Sequence, residues 1–321
     1  MSEPTKPTSK GAGDFNSRKM VSFGDPSAAQ GGLIWSFVSV AVLIALWWYF
    51  SGPRDVFWLP AMGEVWTKFV EMTMTGYRNA KGINPYPFIG RFYMEPVNIL
   101  GFLEWIPLLN QIIPEVNVTL PVLHGHLWDS FYRILAGFAF GCLVGIPLGI
   151  SMALSKVMKG LFDPIIELYR PVPPLAWAPL IIVIFGIDED GKIILLFLAA
   201  LSIMVISARA GATGVKLSKV HAAYSLGASR WQVLRHVILP NSMPEILTGM
   251  RVAMGVCWGT VVAAEMIGGI SGVGFSVNFA RKFFGFDIIW SGIILMGLVG
   301  LLIDLGMRGL IALLIPWRGK G

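Results

Sequence analysis

Apolar runs close to the roughly 20 residues that a bilayer-crossing helix requires alternate with short polar connectors along most of this chain. Six stretches approach that requirement: roughly 33–50, 131–154, 162–186, 192–211, 246–268 and 288–314. Residues 1–30 are rich in Ser, Pro, Gly and Lys and predict a disordered cytoplasmic tail. The first apolar run, residues 31–50, is long for a signal peptide and is followed by no small-residue cleavage site, so it reads as an uncleaved first transmembrane helix. Residues 51–130 mix polar, Pro, Trp and semi-apolar pieces and predict an extended extracytoplasmic segment, either an ordered cap or helices resting on the membrane surface. Within it, the piece around 97–114 is too short and too polar to span, because Glu104, Pro107 and Asn110 interrupt it. The remaining core, 131–318, contains one long polar connector at 212–244. The expected fold is all-α: a polytopic membrane protein with about six transmembrane helices.

Composition agrees, with 55% hydrophobic and only 14% charged residues among 321. A formal net charge of +6 suggests an anionic partner, but the basic residues are spread over short connectors, which suits the positive-inside rule better than nucleic acid. Lys6, Lys10, Arg18, Lys19, Lys156, Lys159, Arg318 and Lys320 fall on one side together with the 212–244 connector, and the acidic turn Asp188-Glu189-Asp190 falls on the other. Both termini and the connector are therefore expected in the cytoplasm. Cys142 and Cys257 lie inside apolar runs and read as packing residues.

Several positions inside the runs carry further meaning. Gly137, Gly141, Gly145 and Gly149 recur every four residues and predict a close helix–helix contact, and Gly255 and Gly259 suggest the same in the fifth run. Pro171, Pro173, Pro174 and Pro179 interrupt the third run, so it is expected to be a broken helix lining a path, or else a simple kink. Glu167 and Arg170 stand three apart, and Asp304 and Arg308 four apart, at spacings that allow pairing. Arg251 and Glu265 are ionisable residues at membrane depth, where a charge costs roughly 2.5–3.5 kcal/mol on insertion scales. For an anionic cargo, Arg170 and Arg251 are the candidate attractants and Glu265 a gate or structural charge; internal pairs that fix helix register are the alternative. The Gly-rich stretch after Glu265 is followed by an amphipathic piece, Phe275–Phe284, which predicts either a short helix at the outer mouth or an inert loop.

The connector itself contains HAAYSLGASRWQVLRHVILP at 221–240. Ala222, Ala223 and Leu226 can share one face of a short helix that Gly227 breaks, and Trp231, Leu234, Val237 and Ile238 recur at helical spacing up to Pro240, which is expected to stop the second helix. With Lys216, Lys219, Arg230 and Arg235 around it, such a hairpin suits docking into a groove of another protein. No engine is visible in the chain. Gly186–Ile193 has P-loop spacing, but Ile193 stands where Ser or Thr would hold Mg²⁺ and three acids occupy the phosphate position. His124 and His126 read as part of a solvated strand or turn rather than a metal site, and no catalytic residues or metal ligands are expected.

The spacing His221-Ala222-Ala223, three residues, Gly227, nine residues, Val237-Ile238-Leu239-Pro240 resembles the coupling loop of binding-protein-dependent ABC importer permeases, with His221 in place of Glu and Val237 in place of Ile. The resemblance extends over most of 131–318 and is closest to the taurine, sulfonate, nitrate and bicarbonate group, taurine permeases above all. Its matching phrases include DPIIELYRPVPPLAW at 163–177 and VVAAEMI at 261–267. It implies a type I permease in a bacterial inner membrane, working by alternating access as a pair of identical subunits. The implied partners are two ABC ATPase subunits, which hold ATP and Mg so that this chain needs no cofactor, and an extracytoplasmic solute-binding protein. His221, Ala222, Ala223, Gly227, Ala228, Leu239 and Pro240 would couple to the ATPase, and Glu167, Arg170, Pro173, Pro174, Arg251 and Glu265 would line the pathway. Nitrate, bicarbonate or an aromatic acid are alternative cargoes. An ion-coupled secondary transporter or a channel is the rival of another class, although no half-to-half repeat is visible.

Overall fold

A computed structural model describes residues 32–51, 59–74, 88–89, 91–98, 117–186 and 189–315. The expected tail at 1–30 and the basic residues Arg318 and Lys320 lie outside the described residues. The chain divides into two compact units, Met1–Met62 and Gly63–Gly321. In the first, helix α1 runs Gly32–Ser51, presents apolar side chains such as Phe37, Leu43 and Trp48 outward, and is joined to the following turn by the Trp47 indole N–H, which donates to the Pro60 carbonyl at 3.2 Å.

The second unit is built around α3 (His126–Leu154), α6 (Glu189–Thr213) and α9 (Leu239–Gly268), with α11 (Phe286–Leu314) against α9. The four-residue glycine repeat sets the closest contact. A Cβ added to Gly137, Gly141, Gly145 or Gly149 would lie 2.4, 2.4, 2.7 and 2.9 Å from the Cβ atoms of Leu196, Ala200, Met204 and Ala208, themselves four apart on α6. The two repeats mesh turn by turn, so the backbones approach as only glycine allows. Across the other side of α6, Gly211 meets Ser242, and Gly249 meets Ser207. The same role was expected of Gly255 and Gly259, but a Cβ at either position meets nothing within 4 Å; on α9 the close approach falls on Gly249 instead, because Gly249 is the glycine that faces α6. Cys257 is buried in this core, and Cys142 packs against it.

Among the described residues, α3, α6, α11 and a continuous helical stretch, Arg230–Gly268, suffice by length and composition to cross a membrane, and the bent pair α4 (Lys156–Tyr169) with Pro174–Phe185 makes a fifth when counted as one span. That pair is the third apolar run, broken at its prolines: α4 ends, a single 3-10 turn covers Pro174–Trp177, and α5 (Ala178–Phe185) leaves at 90°. Four helices share the hairpin region and mouth: α7 (Leu217–Ser225), α8 (Arg230–Val233), α9 itself and α10 (Val273–Lys282). Pro240 does not stop its helix. A π turn at Leu234–Ile238 routes the Leu239 N–H to the Leu234 carbonyl, which places Pro240 in the first turn of α9, where a missing N–H breaks no bond.

Within the second unit, residues 63–74 and Phe88 pack against α10 and α11. Helix α2 (Met62–Met74) buries Val65 and Met72, and Ser291 Oγ donates to the Val65 carbonyl at 3.1 Å. Phe88 is fully buried among Met72, Val273, Ala280, Ile288 and Leu295. Strands β1 (Arg91–Asn98) and β2 (Asn117–His124) form an antiparallel ribbon running from Arg91↔His124 to Asn98↔Asn117, the one departure from an all-α chain among the described residues. Among the described residues the ribbon has two strands, so each is an edge strand, the setting in which prolines such as Pro96 and Pro121 occur. His126 is not on a solvated strand or turn: it opens α3 and is buried.

Substituting Gly141→Leu is expected to separate α3 from α6 and lower thermal stability in detergent by more than about 2 kcal/mol. Gly255→Ala, with open space at its Cβ, is expected to leave stability unchanged or raise it by up to about 1 kcal/mol, as replacing a helical glycine does.

Candidate functional site

The hairpin at 217–238 owes its shape to two termination motifs. At the end of α7 the Ala228 N–H donates to the Ala223 carbonyl at 3.1 Å and the Gly227 N–H to the Tyr224 carbonyl at 2.9 Å, a Schellman motif whose reversal falls on Gly227 at φ 81°. Nothing lies within 4 Å of a Cβ there, so backbone conformation alone requires the glycine. The small residues Ala223 and Ala228 close the motif against the bundle core. Ser229 then opens α8 with a capping box: its N–H donates to Gln232 Oε1 at 2.7 Å, and its Oγ accepts from the Gln232 N–H.

The hairpin has a glued face and a free one. Val220, Val233, Leu234, Val237, Ile238 and Leu239 join Ala223 and Ala228 on the core. His221, Ala222, Tyr224, Leu226, Trp231 and Pro240 are exposed, Leu226 at 89% and Trp231 at 66%, with Lys216, Lys219, Arg230 and Arg235 around them. The sequence grouping is thereby corrected. Ala223 parts from Ala222 and Leu226, and Trp231 parts from Leu234, Val237 and Ile238, because α8 continues through the π turn into α9 and its apolar spacing belongs to that longer helix.

At the other end of α9, Glu265 is fully buried but not alone. Its carboxylate accepts from Arg133 Nη1 at 2.6 Å, Ser130 Oγ at 2.7 Å and the Gly274 N–H at 3.0 Å. Arg133 Nη2 also donates to Glu189 Oε1 and to Ser271 Oγ, each at 2.7 Å, and Lys192 Nζ donates to Glu189 Oε1 at 3.1 Å. Two cations and two carboxylates therefore balance. The start of α10 is held by the same group: His126 Nδ1 accepts the Gly272 N–H, and Ser130 Oγ accepts the Val273 N–H, both at 3.1 Å. Gly272 has φ 112°, and a Cβ on it would sit 2.1 Å from Glu265 Cδ, so neither its backbone nor its space admits another residue. The expected mouth helix, placed at Phe275–Phe284, is α10, Val273–Lys282.

The remaining charged candidates do not converge. Arg251 is paired, its Nε at 2.5 Å from Asp304 Oδ1 and its Nη2 at 3.1 Å from Oδ2, while Arg308 Nε reaches the same carboxylate at 2.9 Å. Asp304 thus serves two arginines, not Arg308 alone. Glu167 and Arg170 are 3.9 Å apart on the exposed side of α4. Pro173 and Pro174 form the corner of the broken span.

Residues 145–319 match the family model described as binding-protein-dependent transport system inner membrane component. The chain belongs to this family. Over 195 residues, 61% of the permease and 71% of the relative, it is 48% identical to the taurine transport system permease protein TauC of Escherichia coli K12. It is 38% identical over 198 residues to the putative aliphatic sulfonates transport permease protein SsuC of Bacillus subtilis 168, covering 62% and 72% of the two chains. To the nitrate import permease protein NrtB of a Synechocystis species it is 34% identical over 194 residues, covering 60% and 70%. Among solved structures, an inward-facing MetNI methionine ABC transporter aligns with TM-score 0.51 over 58% of the permease and 93% of that chain, at 16% identity, which is a likeness of fold.

Sequence reasoning singled out Glu265 but missed Arg133, Ser130 and Lys192. A signal for Arg133 was present: it is the one charged residue in the run 131–154, and an arginine at such a place calls for a partner. Which partner was not readable, because 132 residues separate it from Glu265.

In the permease, Glu265→Leu is expected to leave Arg133 and Lys192 facing Glu189 alone and to cost about 3–5 kcal/mol, with Arg133→Met plus Glu265→Leu costing much less than the sum of the two single changes; a double-mutant cycle on thermal unfolding measures this. Gly227→Ala is expected to cost about 1–2 kcal/mol from its left-handed backbone and to raise amide exchange in 223–228 without disturbing α3 or α6.

Proposed function

We propose that this permease is the membrane subunit of an ATP-driven importer of taurine or another sulfonate in a bacterial inner membrane, with its termini and the 217–238 hairpin in the cytoplasm. The observation that carries the reading is one continuous helical stretch, Arg230–Gly268. At about 1.5 Å per residue it is a rod of about 58 Å, with the exposed apolar hairpin surface at one end and the Glu265 carboxylate that holds α10 at the other. A push on the hairpin reaches the mouth through that rod, which stays helical through the π turn, Pro240 and Pro244.

Two ABC ATPase subunits fit the hairpin surface, where Leu226 and Trp231 are the anchors and the surrounding lysines and arginines the polar rim. They bind ATP and Mg and supply the work; this chain's residues transmit it. A second copy of the permease completes the pathway, with Glu167, Arg170, Pro173, Pro174 and Arg251 on the elements that would surround it and Glu265 in the closed mouth. A soluble binding protein delivers cargo at the α10 end. The sulfonate reading is supported by the 48% identity to TauC; nitrate is the second reading, on the match to NrtB.

The test is uptake of labelled taurine into proteoliposomes holding the permease with its ATPase and binding protein. ATP-dependent uptake competed by other sulfonates is expected. Stimulated ATPase without taurine uptake would keep the importer and discard the cargo, and a complex active without any ATPase would favour a channel or ion-coupled carrier. In the same complex, Leu226→Asp with Trp231→Ala is expected to weaken ATPase copurification at least about tenfold, as loss of hot-spot anchors does.

A further inference from the structure

The corner of the broken span carries a feature that neither the hairpin nor the mouth uses. Tyr169 closes α4, and Trp177 closes the 3-10 turn that follows. Between them Pro171, Pro173 and Pro174 fold the chain back, so that the two rings stack with centroids 5.6 Å apart and planes 21° from parallel. Trp177 packs beside Ala178, Ile181, Leu195 and Ala264, against α6 and the outer half of α9. Tyr169 Oη and Trp177 Nε1 are both buried, and neither has a hydrogen-bond partner among the described residues.

Leaving a buried donor unpaired costs about 1–3 kcal/mol, and native chains seldom tolerate it without a reason. Here two such donors belong to one stacked pair of rings. An indole N–H can only donate, and the phenol keeps its own O–H to donate even where its oxygen accepts, so the pair cannot satisfy both donors internally and calls for an outside acceptor. Prolines at the corner remove backbone donors that would compete for that acceptor. The neighbouring Arg170 is more than half exposed and stands 3.9 Å from Glu167, a loose pair that leaves its guanidinium available. Irregular backbone at membrane depth is tolerated only within protein or beside a water-filled path, which is where a cargo would pass.

We propose that Tyr169 and Trp177 form a contact site for the oxygen-rich anionic head of the cargo, Tyr169 Oη and Trp177 Nε1 donating to its oxygens as it crosses the broken span. The inference rests on the oxyanion-import reading above and adds to it the residues that receive the cargo from the binding protein. A sulfonate or nitrate suits the site because it offers several acceptors on one small centre. A cargo without such a head gains nothing from two donors.

The experiment uses the full complex of permease, ATPase and binding protein in proteoliposomes, with Tyr169→Phe, which removes only the hydroxyl donor, and Trp177→Phe, which removes the indole N–H while keeping an aromatic ring in the stack. Taurine uptake and ATP hydrolysis are measured together at saturating taurine-loaded binding protein. The expected result is a fall in uptake of roughly tenfold per variant, with hydrolysis within about twofold of wild type, so that taurine moved per ATP drops. Unchanged uptake would overturn the proposal, as would uptake and hydrolysis falling together, which marks a merely structural pair. Loss of the paired permease on gel filtration would also overturn it, by giving the donors to the second copy. If the wild-type complex imports neither taurine, another sulfonate nor nitrate while its ATPase is stimulated, the oxyanion reading itself fails, an outcome distinct from variants that transport normally.

Discussion

A carboxylate removed from water needs a cation and hydrogen-bond donors around it, and Glu265 collects both from across the molecule. Arg133 comes from α3, Ser130 from one turn before it, and the Gly274 N–H from α10, while Glu189 and Lys192 of α6 complete the charge balance. Desolvating an unpaired ion would cost several kcal/mol, so these four helices are held in one arrangement as long as the mouth stays dry. The N–H groups at the start of α10 end on His126, Ser130 and Glu265, which ties the mouth helix to the charge network in addition to its apolar packing through Val273 and Ala280.

What lies between that network and the hairpin is stiff. Gly137 to Gly149 and Leu196 to Ala208 mesh along the length of α3 and α6, and α9 packs on α6 through Gly211 and Gly249. Close-packed helices of this kind move as bodies instead of bending locally. The π turn at Leu234–Ile238 makes the hairpin part of the α9 body, since it keeps the helix continuous past Pro240. The same rigidity makes the broken span distinctive: α4 and α5 meet at 90° around Pro171, Pro173 and Pro174, and there the backbone departs from the helical rule that the rest of the core obeys.

Much of this was legible in the residues. Apolar length located α1, α3, α6, α9 and α11, the four-residue glycine period announced a close helix pair, and the proline cluster announced the break. The hairpin motif, Ala223 through Gly227 to Pro240, stood out by spacing, because a Schellman turn and a capping box are local and use only near neighbours. Membership of the permease family follows from the same stretch and its surroundings.

Tertiary structure alone decided who pairs with whom. The sequence of α3 showed its small residues but not that Leu196, Ala200, Met204 and Ala208 would receive them, and it left Gly255 and Gly259 indistinguishable from Gly249. Arg251 looked free until Asp304 on α11 reached it from 53 positions away, and Glu265 looked solitary until Arg133 did. Period and composition report what each helix can bury, since those depend on its own side chains and the solvent. They carry no information on the rotation and height at which two distant helices meet, and buried charges are settled by that rotation and height.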